Sequence, residues 1–281
     1  MNALTQGPCL PFPRLQRTPE ERQSHGPSDE ICLVSLRQLR IPLRSHDRLI
    51  LLYGHPVLFR LGLHAAMERT LDGEHVVYLD GANTFDAFLI GRLARAKRQE
   101  PRKLLSLIHV ARAYTNRQMD RLLSDCLGEA LERYGARVAL LSGLFETIYG
   151  RISEDKAAPQ HFGRMLDALL RLKRQAVNLV CLCPLPSLIP PASRSCFEQL
   201  RTQADRIVAV SEEQGIVTCC EEGAAPRQSW RVTTEVVYGG ETKSDGRRRR
   251  PLKGEDRPLP LHRCVASPDR EVDEAPVTPH A

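Results

Sequence analysis

The chain lacks an apolar run long enough to cross a bilayer; its longest candidates are broken by Arg or His. A membrane-embedded role is therefore not expected. Nor does it open like an exported protein, because residues 1–11 carry no basic stretch followed by an apolar one. The expectation is a cytoplasmic protein with no membrane partner. There is no C-x-x-C pair among the nine cysteines, and no internal repeat. Cys181 and Cys183 would share one strand face, but isolated cysteines in apolar runs act as small hydrophobes, so no metal site is assigned. A strong excess of one charge sign is lacking too. Forty Lys and Arg face thirty-four Asp and Glu, a net +6, which permits contact with nucleic acid without demanding it.

What is present is an ordinary globular composition: 42% hydrophobic and 26% charged residues in a chain of 281. That length allows one large domain with tails. Residues 1–30 are rich in Pro, Arg, Gln and Ser without periodicity and read as a flexible arm. Residues 31–241 form the expected core. Residues 242–281 read as a disordered polar tail that begins with the basic run Arg247, Arg248, Arg249 and Arg250.

Within the core, short apolar runs alternate with helical periodicity. The runs at 48–53, 75–79, 105–110, 138–141 and 178–183 are strand-like. Between the third and fourth, Met119, Leu122, Leu123, Cys126, Leu127, Ala130, Leu131 and Tyr134 recur at three- and four-residue spacing. That is one apolar helix face, with Asn116 placed to cap its start and Gly135 to end it. A second amphipathic helix runs through Phe162, Met165, Leu166, Leu169 and Leu170. Continuous apolar strands separated by helices imply an α/β protein with a mostly parallel sheet covered on both faces. The runs at 206–210, 215–220 and 230–238 are joined by short polar links and imply an antiparallel extension at the sheet edge.

Ligands of open parallel sheets sit beyond the carboxyl ends of the strands. After the first run the sequence reads Gly54-His55-Pro56-Val57-Leu58-Phe59-Arg60-Leu61 and leads into a helix, the position of a phosphate-binding loop. A working loop of the form G-x-x-x-x-G-K-[ST] uses glycines to bring backbone N–H groups around phosphates, a Lys to reach them and a hydroxyl to hold magnesium. Only the first glycine is here; Phe59, Arg60 and Leu61 occupy the other three positions.

Further motifs stand in order. Tyr78-Leu79-Asp80-Gly81-Ala82-Asn83-Thr84-Phe85 is similar to the Y-[IL]-D-T-E-G-T-F segment of archaeal and eukaryotic recombinases. His109-Val110-Ala111-Arg112-Ala113-Tyr114-Thr115 resembles their V-A-R-A-[FY] segment, and Val138–Ser142 sits where a Walker B strand belongs. The chain thus resembles the RecA/RadA-like recombinase superfamily over about residues 45–238. The resemblance implies a RecA-like core, and it also implies lost chemistry. The catalytic Glu falls at Ala82, the Walker B Asp at Ser142, and the γ-phosphate-sensing Gln at about Pro184.

Phosphoryl transfer rests on positioning and charge stabilisation by such groups, so no catalytic residue is assigned. A degenerate nucleotide site would comprise Gly54, His55, Arg60 and Asp80, with no required cofactor and weak ATP binding left open. Each has a plainer reading: Arg60 as a surface residue, Asp80 as a turn former, His55 as a loop residue without a role. Arg112 is expected in a structural hydrogen bond or ion pair at its strand end. Arg194, Arg201 and Arg247–Arg250 are the candidate contacts to single-stranded DNA or a partner.

The resemblance implies an ATPase-dead accessory protein of recombination or repair. Its partners would be an active RecA-type recombinase, a repair polymerase or a nuclease, in a homo- or hetero-oligomer. Two alternatives stay open: an ATP-binding, KaiC-like regulatory ATPase with an unorthodox loop built on Arg60, and an interaction scaffold without a DNA role.

Overall fold

A computed structural model describes residues 32–36, 39–145, 158–189, 191–224 and 228–239. The arm at 1–30, the tail at 242–281 and the basic run Arg247–Arg250 lie outside the described residues.

The protein is α/β, built on a mixed, mostly parallel sheet of eight strands. A hairpin of β1 (Cys32–Leu36) and β2 (Leu39–Pro42) comes first. The chain then runs β3 (Leu49–Gly54), α1 (Leu58–Leu71), β4 (Val76–Asp80), α2 (Ala87–Ala96), α3 (Pro101–Ser106) and β5 (Ile108–Arg112). Next come α4 (Asn116–Arg121), a π-helical turn (Leu122–Cys126), α5 (Leu127–Tyr134) and β6 (Val138–Ser142). After residues outside the description follow α6 (Ala158–Lys173), β7 (Asn178–Pro184), a 3-10 turn (Pro186–Leu188) and α7 (Pro191–Gln203). The order ends with β8 (Arg206–Glu213), β9 (Ile216–Glu221), β10 (Ser229–Thr233) and α8 (Thr234–Val237).

The sheet order is β10-β9-β8-β3-β7-β6-β4-β5. The six strands from β8 to β5 are parallel, and β9 and β10 extend them antiparallel. The parallel strands are apolar throughout because both faces are covered. Leu49, Leu51, Leu179 and Cys181 face a cluster with Met119, Leu127, Phe162, Met165 and Phe197, which places α4 to α7 on one side. Ile50, Leu52, Val180 and Leu182 face a second cluster with Leu61, Met67, Leu89 and Ile90, which places α1 and α2 on the other. The period-two alternation of each strand is what divides one apolar run between two cores.

Local chemistry explains where the elements depart from the periodicity. The apolar run at 105–110 splits, because Pro101 at the first turn starts a short helix and the strand begins only at Ile108. Thr115, not Asn116, caps α4: Thr115 has the extended backbone of a cap, and its hydroxyl accepts from Gln118 N–H at 3.2 Å. Gly135 ends α5 in the left-handed conformation, as expected. The run at 230–238 stops being a strand at Thr233 and turns into α8.

One charged cluster joins the edge strands to the hairpin. Arg206, with a fully buried side chain, donates to Asp47 Oδ2 at 3.1 Å, Glu221 Oε2 at 2.9 Å and the Pro42 carbonyl at 2.5 Å. Arg44 closes on the same Glu221 at 2.6 Å. Removing one partner from such a cluster leaves buried charge uncompensated. Arg206→Ala should therefore cost about 3–5 kcal/mol of unfolding free energy, read from urea denaturation.

Two buried histidines make the fold acid-sensitive. His64 donates Nε2–H to the Val237 carbonyl at 2.8 Å, and burial pushes its pKa down to about 4. Burial, then the neighbouring His75, lowers His109 to about 4 as well; its ring stacks on Tyr134 at 3.5 Å. An unfolded chain takes up these protons near pH 6.5, and the folded chain only near pH 4. Stability should be fully present above pH 6.5 and fall as pH drops from 6.5 to 4. The lowered His64 value should contribute on the order of 3 kcal/mol to this dependence. Thermal melts across this range should show a shallower slope in His64→Gln.

Candidate functional site

Strand polarity and helix placement define where a ligand of such a sheet would bind. The chain leaves β3 for α1 on one face, whereas the neighbouring strand β7 leads to α7 on the other. A second divergence lies between β4, which leads to α2, and β6, which leads to α6. Crevices form at such divergences. The sequence motifs fall on them: Gly54 ends β3 and His55 follows it, Pro184 ends β7, Asp80 ends β4 and Ser142 ends β6.

At the first divergence the loop is closed on itself. Gly54 has φ 134°, and a Cβ there would lie 2.0 Å from the Val210 carbonyl oxygen, so only glycine lets β3 pass β8. The next amide, His55 N–H, donates to that same carbonyl at 2.8 Å. Pro56 has no N–H. Val57 N–H reaches His55 Nδ1 at 3.4 Å. The amides of Leu58, Phe59, Arg60 and Leu61 bond to the carbonyls of His55, Pro56 and Val57 as the helix starts. Every N–H that would surround a phosphate already has a partner. Leu61, in the hydroxyl position, is fully buried in the core, and Phe59 packs on the same cluster.

Arg60 is held as well. Its Nη1 lies 2.6 Å from Asp86 Oδ2, and its guanidinium sits 5.5 Å from the Tyr238 ring centroid. Burial raises the Asp86 carboxyl, but hydrogen bonds from Arg60 and the Leu89 amide hold it below its usual value. Asp86 also caps α2. Sequence inspection passed over it, since the pairing spans 26 positions and no local spacing signals it.

At the second divergence Asp80 is a buried hub. Its Oδ1 accepts from Thr84 N–H at 2.8 Å and Ser142 Oγ at 3.0 Å. Its Oδ2 accepts from Phe85 N–H at 3.1 Å and Arg112 Nε at 3.3 Å. The turn-forming reading of Asp80 and the strand-end ion pair expected of Arg112 are thus one arrangement. Asn83 takes a positive φ of 54° inside the turn that Asp80 organises, a conformation that asparagine tolerates. Gly143, after β6, has φ 78°, and a Cβ there would lie 2.1–2.2 Å from Gly81 and Ala82 backbone atoms. The backbones of Gly143 and of Gly81–Ala82 are therefore in close contact, an approach that only glycine at 143 allows.

The other candidates are occupied too. Arg201 pairs with Glu222 at 2.6 Å and Glu198 at 3.4 Å, and Arg194 Nε donates to the Ile189 carbonyl at 3.2 Å. His55 Nε2 lies 3.9 Å from Glu212. Among the described residues no group of three or more potential ligands could hold a metal ion. What sequence reading did not single out is an exposed aromatic edge. Phe88 at the start of α2 is 87% exposed, and Tyr114 after β5 is 70% exposed. A groove of about 550 Å³ lined by Phe85, Phe88, Val110 and Arg112 lies at the same edge.

No family model matches the chain, and no curated protein matches it significantly.

Gly54→Ala should lower stability by about 3 kcal/mol or more, because it adds backbone overlap to a strained φ. Asp80→Ala should cost about 2–4 kcal/mol by leaving two amides and a guanidinium without their acceptor. Denaturant midpoints of the two variants check both expectations.

Proposed function

We propose that the chain is an ATPase-dead, RecA-like accessory protein of DNA recombination or repair, acting through contacts with other proteins. The observation that carries the loss of hydrolysis is the closed loop after β3. Its amides bond internally and Arg60 is committed to Asp86, so the groups that remain do not fit a triphosphate with magnesium. The motif order supports the RecA-like part of the reading. So does the sheet order, with the degenerate loop on β3, the Walker B position on β6, and one strand between them.

The exposed edge supports action through protein contacts. β5 is the last strand of the sheet among the described residues, and its free side offers backbone donors and acceptors. Phe88 and Tyr114 flank that strand as large apolar anchors of the kind that dominate interfaces. DNA contact would fall to the arginine run at 247–250 more than to Arg201, whose charge is already matched.

Calorimetric titration with ATP and magnesium should show no binding, and a turnover assay no hydrolysis, with Arg60→Ala indistinguishable from the parent. Hydrolysis that disappears in Arg60→Ala would establish the regulatory-ATPase alternative instead. The double variant Phe88→Ala, Tyr114→Ala should weaken co-sedimentation with the resident recombinase at least tenfold while leaving the unfolding midpoint within about 0.5 kcal/mol. Gel shifts with single-stranded DNA across a salt series test the tail. Binding that vanishes when residues 242–281 are removed supports a DNA role, and no binding at low salt leaves the scaffold reading.

A further inference from the structure

The opposite end of the sheet, at the amino ends of the parallel strands, carries an arginine-lined cavity that the proposed function does not use. Arg48 precedes β3, Arg137 precedes β6, and β7 lies between those strands. The Arg48 carbonyl accepts from Leu179 N–H at 2.7 Å and the Arg137 carbonyl from Asn178 N–H at 2.8 Å. The two arginines therefore flank the first residues of β7, two strand spacings or about 10 Å apart. Both residues line a cavity of about 380 Å³, together with Arg69 from the last turn of α1, Glu74 from the α1–β4 connection, Asn178 and Val138.

The charges do not balance. Arg69, buried at the end of α1, is held by Asp72 and by Glu74 at 3.5 Å. Those two carboxylates are thereby spent, and Arg69 Nε still has no hydrogen-bond partner. Asp205 accepts the Arg48 and Leu49 amides but is matched by Lys173 at 2.6 Å. Asp47 is engaged by Arg206, and only its carbonyl meets Asn178. The guanidinium groups of Arg48 and Arg137 make no ion pair or side-chain hydrogen bond among the described residues.

Basic residues near helix carboxyl ends are common, because the dipole there is negative. That explains Arg69 in the last turn of α1; it does not explain two further unpaired guanidiniums on one walled cavity. Guanidinium is the side chain best matched to phosphate oxygens, through paired N–H donors. The volume lies within the range of small-molecule sites, and Leu43 and Val138 offer apolar wall to the rest of a ligand.

We infer that this cavity binds a small phosphate-bearing molecule, its phosphate held between Arg48 and Arg137. The site is separate from the degenerate loop, so its fate does not depend on whether that loop binds ATP.

Calorimetric titrations of the full chain with inorganic phosphate, pyrophosphate, AMP and citrate, at matched ionic strength, test this. Saturable binding of at least one phosphate compound, weakened tenfold or more in Arg48→Gln, Arg137→Gln and unchanged in the surface variant Arg117→Gln, is the expected result. Citrate binding as tightly as every phosphate compound would overturn the ligand class. Absence of saturable binding, or binding unaffected by the double variant, would overturn the site. Phenylglyoxal modification of the unaltered protein, mapped by mass spectrometry, gives a reading independent of variant folding. The phosphate compound that binds should slow labelling of Arg48 and Arg137 at least fivefold, and unchanged rates would overturn the assignment.

Discussion

Asp80 is the residue on which the carboxyl end of the sheet depends. A carboxylate that is 1% exposed at the end of β4 survives burial only because its oxygens accept from two amides, a hydroxyl and a guanidinium. Those donors come from the turn after β4, from β6 and from β5, so one side chain fixes three adjacent strand ends. The same bonds that hold the strands leave the carboxylate no free lone pair with which to orient a magnesium shell or a water. Structural use and catalytic use compete for the same oxygens, and here the structural use is complete.

A similar exchange operates around β3. In a phosphate-binding loop the amides stay unsatisfied within the chain and wait for the ligand. Here three residues separate Gly54 from the first turn of α1, and the loop amides find carbonyl or imidazole partners on the spot. Leu61 is buried in the core. The loop amides thus contribute to local stability. The surface has two ends of contrasting character. The edge at β5 is aromatic, and the amino end of the sheet is rich in guanidinium groups. The first is where we propose a protein interface, at Phe88 and Tyr114, and the second where we infer a phosphate site, at Arg48 and Arg137.

Much of the architecture was legible in the chain. Apolar runs four to six residues long, separated by helical periodicity, marked a parallel sheet, and the short polar links after Arg206 marked its antiparallel extension. Boundaries shifted where local chemistry outweighed periodicity, as when Pro101 converted the start of a strand-like run into helix and Thr115 displaced Asn116 as a cap. The strand order was not legible, because it depends on which apolar faces meet, and several orders satisfy the same alternation. The candidate site was half legible. The residues at the strand ends, Gly54, Asp80, Ser142 and Pro184, could be read directly from the runs that precede them. The partners of what remained could not: Arg60 with Asp86 is a pairing across 26 positions, and Gly54 against Val210 brings together strands far apart in the chain.

By itself, then, the sequence determined the class of fold, through hydrophobic period, and the residue types at each strand end, since a leucine at position 61 offers no oxygen to a ligand. Only the tertiary structure decided what the surviving polar residues do. Asp80, Arg60 and Gly54 are each compatible with a ligand when read one at a time. Whether a carboxylate or a guanidinium is available depends on which distant groups the fold brings within hydrogen-bond distance. At the carboxyl end of the sheet the fold brings a partner to each of them. At the amino end it brings arginines together and leaves the guanidinium groups of two without a partner among the described residues.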